Sequence, residues 1–223
     1  MNVLAIEGAL GGFSASVAID ERIVSASAIA GNVALESGLD IIAGVLKQAR
    51  LSGPKLDRIA VGNGPGGFTG LRITIAFAKS LAQAWKIPLA PVSSFDILNY
   101  GQDLGAACLT IVTGRPGIVT AQYSDTAETL RASGAVAEVL ARVLIRAPRH
   151  IITVNAPEDV LCACAEGGFT VDARYPSVSP PSSAAALRAF HLPAALSAHE
   201  VRADYGERPA ARVPAFAKGS HTP

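Results

Sequence analysis

The sequence predicts an α/β fold in two subdomains. Three observations carry that expectation: short apolar or alternating runs open both halves of the chain, runs of helical period alternate with them from about residue 35 onward, and glycine- or proline-rich turns separate most of the pairs. At 223 residues the chain can bury a sizeable core as one domain or two small ones.

NVLAIE, FSASVAID and RIVSASAIA read as three consecutive strands, parted by Gly8 to Gly12 and by Asp20-Glu21, the second and third joined by a tight hairpin. In ALESGLDIIAGVLKQAR, Leu35, Leu39, Ile42, Leu46 and Ala49 recur at helical spacing, and Gly53-Pro54 ends the helix. DRIAVG is a short buried strand, Gly70 to Trp85 a second helix, and IPLAPV another strand. Ser93-Ser94 caps a third helix to about Tyr100. The first half therefore runs βββαβαβα.

The second half is less regular. ACLTIVTG and IVTAQYS form a pair of strands around Gly114 to Gly117, and an alanine-rich helix follows from about Gly134 to Ile145. HIITVN is a strand, Pro157 to Ala165 a short helix with proline in its first turn, and SVSPPSS a linker into a helix around Ala184 to Phe190. From Pro209 onward no periodicity is usable, so a loosely ordered tail is expected. The division is thus 1–104, 105–208 and 209–223.

Composition narrows the function classes. Half the residues are hydrophobic and the mean hydropathy is +0.35, yet no apolar run reaches the ~18 residues of a membrane span. A soluble chain is expected. MNVLAIEG lacks a basic start and meets an acid at Glu7, which suits a first strand better than a signal peptide. Cys108, Cys162 and Cys164 suit buried thiols in a reducing cytoplasm. A formal net charge of +1 argues against a strongly basic nucleic-acid surface.

GNGPGGFTGLR, Gly62 to Arg72, poses the chemical question. It lacks the Gly-Lys-Ser/Thr ending of a Walker A loop. Gly62, Gly64 and Gly67 match G-x-G-x-x-G between a strand and a helix, but this is not the first βα turn. No acid follows ~20 residues on, and Pro65 removes an N–H. A turn shaped to start a helix close against the sheet is the better reading; phosphate binding is the weaker one. The four histidines all lie in the second half, none at i, i+4 spacing, and neither H-E-x-x-H nor G-x-S-x-G occurs. Glu7, at the end of the first strand, is either a carboxylate able to act on a magnesium-bound phosphate or a solvated acid. Asp96 reads as a helix N-terminal acid. These residues make no convincing active site.

The first two long helices carry a different signal. Leu71, Ile75, Ala78, Ala82 and Trp85 form one stripe of Gly70 to Trp85, and Ile73, Phe77 and Ala84 form a second. Leu35 to Arg50 likewise adds Ile41 and Val45 to its main stripe. Helices apolar on two faces are covered twice, by the rest of the chain or by another subunit.

GNGPGGFTGLRITIAFAKSLAQAWKIPLAPVSSFDIL resembles the signature region of the TsaB (YeaZ-type) family, close to GPGSFTGLR, a helix with A-K-x-L-A, a short strand and V-S-S-L. The match runs through Gly64, Pro65, Gly66, Phe68, Thr69, Gly70, Leu71, Arg72, Ala78, Lys79, Leu81, Ala82, Val92, Ser93 and Ser94. The opening strands are similar to the family's first hairpin, Glu36 and Leu39 fall where it has S-E-x-L-x-P, and Tyr205 and Arg208 correspond loosely to its C-terminal Y-x-R. The resemblance covers residues 1 to 100 and thins beyond.

It implies an ASKHA (actin-like, ribonuclease H-like) fold, two subdomains each with a mixed sheet flanked by helices. It also implies a cytoplasmic, non-catalytic subunit for making N6-threonylcarbamoyladenosine at position 37 of ANN-decoding tRNAs. Such a subunit binds the catalytic protein TsaD and works with the ATPase TsaE, touching tRNA only indirectly and no membrane, with a homodimer when the partner is missing. It has no cofactor of its own; ATP or ADP, where bound, sits at the assembled complex. The implied partner-binding residues are Leu35, Leu39, Ile42, Ala43, Leu46, Leu71, Arg72, Ile75, Ala76 and Lys79; Gly64, Pro65, Gly66, Phe68, Thr69 and Gly70 form a structural loop. The family's D-T-S is replaced by Glu7-Gly8-Ala9, and its D-A-R-R-x-E-V-Y by Thr113 to Thr120. The alternative is an independent ASKHA-type phosphotransferase or a diverged glycoprotease-like paralogue.

Overall fold

Val3 to Ile6 has no polar side chain, the pattern of a strand covered on both faces. In the computed structural model, which describes residues 1–31, 34–101, 107–154, 156–171, 179–193 and 197–206, this run is β1 (Asn2–Glu7), the centre of a sheet. β2 (Gly12–Ile19) and β3 (Arg22–Ala30) follow antiparallel, joined through Asp20 and Glu21 at φ 46 and 62, the two left-handed residues that a twisted hairpin needs. β4 (Arg58–Gly62) and β5 (Leu89–Val92) add in parallel on the other side, giving the order β3-β2-β1-β4-β5.

The two faces of β1 are read off in alternation. Leu4 and Ile6 meet α1 (Ala34–Gln48) and α2 (Phe68–Trp85), in a core that holds Phe13, Val45 and Leu71. Val3 and Ala5 face α6 (Pro181–Phe190), whose Ala184, Ala185, Ala186 and Ala189 lie against Ala18, Ala60 and Ala90. Small residues on both sides let that helix approach the sheet closely. α3 (Ser94–Asn99), capped by the Ser93 hydroxyl accepting from the Asp96 N–H at 3.0 Å, packs beside it.

A second sheet has the order β8-β7-β6-β9. Its strands are β6 (Cys108–Arg115), β7 (Ile118–Ser124), β8 (Thr129–Ala135) and β9 (His150–Thr153). Leu109, Ile111 and Val119 pack on α4 (Val136–Leu144) and α5 (Glu158–Glu166). The opposite side, through Cys108, Val112 and Ile152, joins the core under α3 and α6.

Several sequence expectations change here. The half-polar run TLRASGA is the edge strand β8, and the helix expected from Gly134 starts at Val136. Pro157 is the cap before α5 and not its first turn. The expected linker SVSPPSS ends inside α6, with Ser182 and Ser183 buried. Their hydroxyls hydrogen-bond that of Ser16 on β2 at 2.6 and 2.8 Å, and the Ser14 hydroxyl accepts from the Ser182 N–H at 3.2 Å. Ser182 and Ser183 read as part of a linker because their partners lie far away in sequence. Cys162 is exposed, whereas Cys108 and Cys164 are buried. The division near residue 104, Arg208 and the tail 209–223 lie outside the described residues.

Candidate functional site

The glycine loop links β4 to α2 and is tied to three other segments by backbone hydrogen bonds. The Gly67 N–H donates to the Ala9 carbonyl at 2.8 Å, the Ser94 N–H to Gly64 at 2.8 Å, and the Asp204 N–H to Asn63 at 2.7 Å. Gly64 has φ +95, and a Cβ there would overlap the Asp204 carbonyl. Gly70 passes so close to Gly8 that a Cβ would strike its carbonyl oxygen. The loop is thus a shaped turn that lets α2 begin against the end of β1. α2 starts at Phe68, two residues before the sequence pattern, with Gly67 as its cap.

Beside that turn is a cleft of about 270 Å³ lined by Gly8, Gly12, Thr69, Gly70 and, from the β6–β7 turn, Arg115. The first turn of α2 carries no acidic side chain and its cap no side-chain bond. Glu7 does not face this cleft. It is 1% exposed, and its Oε1 accepts from the Ala9 N–H at 2.6 Å. Burial pushes its carboxyl up to about 7, against the opposing pull of the Ala9, Leu10 and Gly8 N–H groups. The solvated-acid reading of Glu7 is therefore corrected: the side chain closes the turn after β1.

The expected partner-binding residues divide into two sets. Ile42, Leu46, Leu71 and Ile75 belong to the core between helices and sheet, and their place on a partner-facing stripe is corrected. The i, i+3, i+4 pattern spans more than one face of each helix, and the sheet takes the face centred on these four. Leu35, Leu39, Ala43, Arg72 and Ala76 are exposed, and Lys79 is half-buried. Of the eight large hydrophobic side chains exposed among the described residues, Leu35 and Leu39 of α1 and Phe68 of α2, with Tyr205, gather on one side of the molecule. Leu35, Phe68, Arg72, Ile73 and Ala76 line an open groove there. The Phe68 ring is 5.1 Å from that of Tyr205, and the Arg72 guanidinium lies 5.2 Å over it.

Tyr205 is the contributor that sequence reasoning matched only loosely. It is set by its neighbours: Val201 is buried, and the Asp204 carboxylate pairs with Arg131 of β8 at 2.7 Å while accepting the Gly206 N–H at 2.9 Å. Among the described residues no group of three or more His, Cys, Asp or Glu side chains could hold a metal ion, and no helix is long and apolar enough to cross a membrane.

The family model described as TsaD, tRNA N6-adenosine threonylcarbamoyltransferase, matches residues 29–187. The chain belongs to the TsaD family. Its likeness within that family is to TsaB-type members. It is 42% identical over 60 residues, 27% of this chain and 29% of the other, to the tRNA threonylcarbamoyladenosine biosynthesis protein TsaB of Buchnera aphidicola. An uncharacterised protein of Mycobacterium tuberculosis is 34% identical over 116 residues, covering 50% of this chain and 54% of that one. The chain therefore spans about half or less of the length of these curated relatives. YeaZ from Pseudomonas aeruginosa shares its fold, with 19% identity, a TM-score of 0.67 and coverage of 92% of this chain and 100% of that one. The architecture is the ASKHA one that the TsaB-type signature implies. In this TsaD-family chain the signature residues Phe68 and Arg72 are surface groups and Leu71 is core, so one short motif serves both the turn and the face.

Proposed function

We propose that this chain is the non-catalytic subunit that supports N6-threonylcarbamoyladenosine formation at position 37 of ANN-decoding tRNAs, by presenting the α1/α2 face to TsaD. The observation that carries the reading is that exposed Leu35 and Phe68 line one groove of a TsaD-family fold, with exposed Tyr205 against Phe68 and exposed Leu39 one helical turn from Leu35. Isolated exposed apolar residues are ordinary, but a contiguous set on two packed helices is what a permanent partner covers. Charged residues of both signs are exposed on the same two helices, Glu36 and Asp40 on α1 and Arg72 on α2, which suits a partner of related fold or a second copy of this chain. TsaE and ATP or ADP then act at the assembled complex in the cytoplasm, with tRNA touched indirectly.

An independent phosphotransferase is less well supported. It needs a carboxylate free to face the cleft, and Glu7 is enclosed by its own turn. The deciding experiment is co-purification with TsaD from the same cell, with analysis of tRNA for the modified adenosine after depletion of this chain. Stable association and loss of the modification support the subunit reading. The absence of both effects would overturn it and direct attention to small-molecule phosphotransfer.

A further inference from the structure

The segment 204–206 is held from both sheets. On the side of the first sheet, the Asp204 N–H donates to the Asn63 carbonyl in the glycine loop at 2.7 Å, and Gly64 passes so close that a Cβ on it would overlap the Asp204 carbonyl. On the side of the second sheet, both oxygens of the Asp204 carboxylate accept from Nη2 of Arg131 on β8, at 2.8 and 2.7 Å. Gly206, at φ +75, lies so near Thr120 of β7 that a Cβ would strike the threonine hydroxyl, and its N–H donates to the Asp204 carboxylate at 2.9 Å. Arg131 is itself placed by α3, its guanidinium lying 5.3 Å over the ring of buried Phe95.

Tyr205 stands between these two held residues. With its backbone fixed on either side, a tyrosine has only two side-chain torsions left to settle. Its ring, 40% exposed, rests 5.1 Å from that of Phe68, which is 53% exposed and lines the groove beside α1 and α2. Burial in the core therefore does not orient Phe68; the groups stacked on it are Tyr205 and Arg72. Arg131 is not among the residues lining that groove, so any influence it has there runs through Asp204 and Tyr205. An exposed ion pair contributes little to stability by itself. Here its consequence is directional, because it fixes the residue next to an exposed aromatic ring.

We propose that Arg131 is a positioning residue of the α1/α2 face: by holding Asp204 it aims Tyr205 onto Phe68, so that the second sheet presets the aromatic side chains against which a partner packs. The physical reason is preorganisation. A side chain already held in its bound orientation loses less freedom on association than one that must be ordered then. The effect on pairing rests on the subunit reading above; the aim of the two rings in the isolated chain does not.

The test compares the wild type, Arg131→Gln, Tyr205→Ala and the double variant as full chains, first by NMR alone and then by affinity for TsaD. Nuclear Overhauser contacts between the Tyr205 and Phe68 rings should be present in the wild type and lost in Arg131→Gln. Affinity should fall about fivefold in Arg131→Gln and about tenfold or more in Tyr205→Ala. In the double variant Arg131→Gln should add nothing to Tyr205→Ala, because it acts through that ring. Ring contacts that survive in Arg131→Gln overturn the proposal, and so does an Arg131→Gln effect of the same size with and without the Tyr205 ring, which is the mark of a merely structural role. If Arg131→Gln does not fold by circular dichroism, Asp204→Asn takes its place: it keeps an acceptor for the Gly206 N–H, loses the charge that Arg131 holds, and is judged by the same two readings. No association of the wild type removes the subunit reading and leaves the ring contacts to decide the positioning role. Unchanged affinity with lost ring contacts overturns the link to pairing.

Discussion

The ring of Phe68 packs at 5.1 Å and 34° against that of Tyr205, joining the start of α2 to a segment from the far end of the described chain. The same segment donates its Asp204 N–H to Asn63 in the glycine loop. The exposed face beside α1 and α2 is therefore built from segments far apart in the sequence, and its shape depends on the glycine loop.

Adjacent residues on α2 should behave in opposite ways. Ala76→Glu places a charge on the exposed groove and should leave the fold intact while abolishing pairing; circular dichroism and light scattering with TsaD read both. Ile75→Glu buries a charge in the core and should destabilise the chain by about 3 kcal/mol or more, seen as loss of cooperative unfolding. A folded, non-pairing Ile75→Glu together with an unfolded Ala76→Glu would reverse the assignment of faces.

Two glycine-to-alanine changes should differ in sign. Gly70→Ala forces a Cβ into the Gly8 carbonyl, where backbone must shift, and should cost ~2 kcal/mol or more in urea unfolding. Gly44→Ala, within α1 and with open space around it, should stabilise by ~0.5–1 kcal/mol through helix propensity. Equal effects would mean that the close approach at Gly8 is not strict.

Global stability should fall with rising pH because of Glu7. Its carboxyl titrates near 7 when folded against 4.5 when free, so the stabilisation is complete below 4.5 and lost as pH rises to about 7. The difference between the plateaus is about 3 kcal/mol. Urea unfolding of wild type and Glu7→Gln at pH 5 and pH 8 measures it; the variant should lack this component. Identical slopes in the two proteins would count against the raised titration.

Ser16→Ala removes the hydroxyl shared by Ser182 and Ser183 and leaves buried polar groups short of a partner. A loss of ~1–3 kcal/mol is expected. Unfolding followed by limited proteolysis should find the region of α6 opening first, and an unchanged melting temperature would show that the two serines satisfy each other.

The element order of the first half was legible because its signals are local. The apolar run in NVLAIE, the Asp20-Glu21 turn and the Ser93 cap each act within a few residues of themselves. β8 was not legible, since TLRASGA lies at a sheet edge where half-polar residues carry no burial signal. α6 was misjudged at its start because Ser182 and Ser183 read as part of a linker until Ser16 is placed beside them.

Residue order alone established the α/β alternation, the glycine turn into α2 and two helices with more apolar surface than one sheet can cover, because propensity, capping and periodicity are short-range. Which of those apolar residues face outward was settled by packing. Leu71 and Ile75 are in the core and Ala76 and Phe68 outside because the sheet claims one side of α2, a choice between faces that the helical period leaves open. The enclosure of Glu7 was settled the same way, by elements spread from Ser14 to Ser179 that meet only in three dimensions.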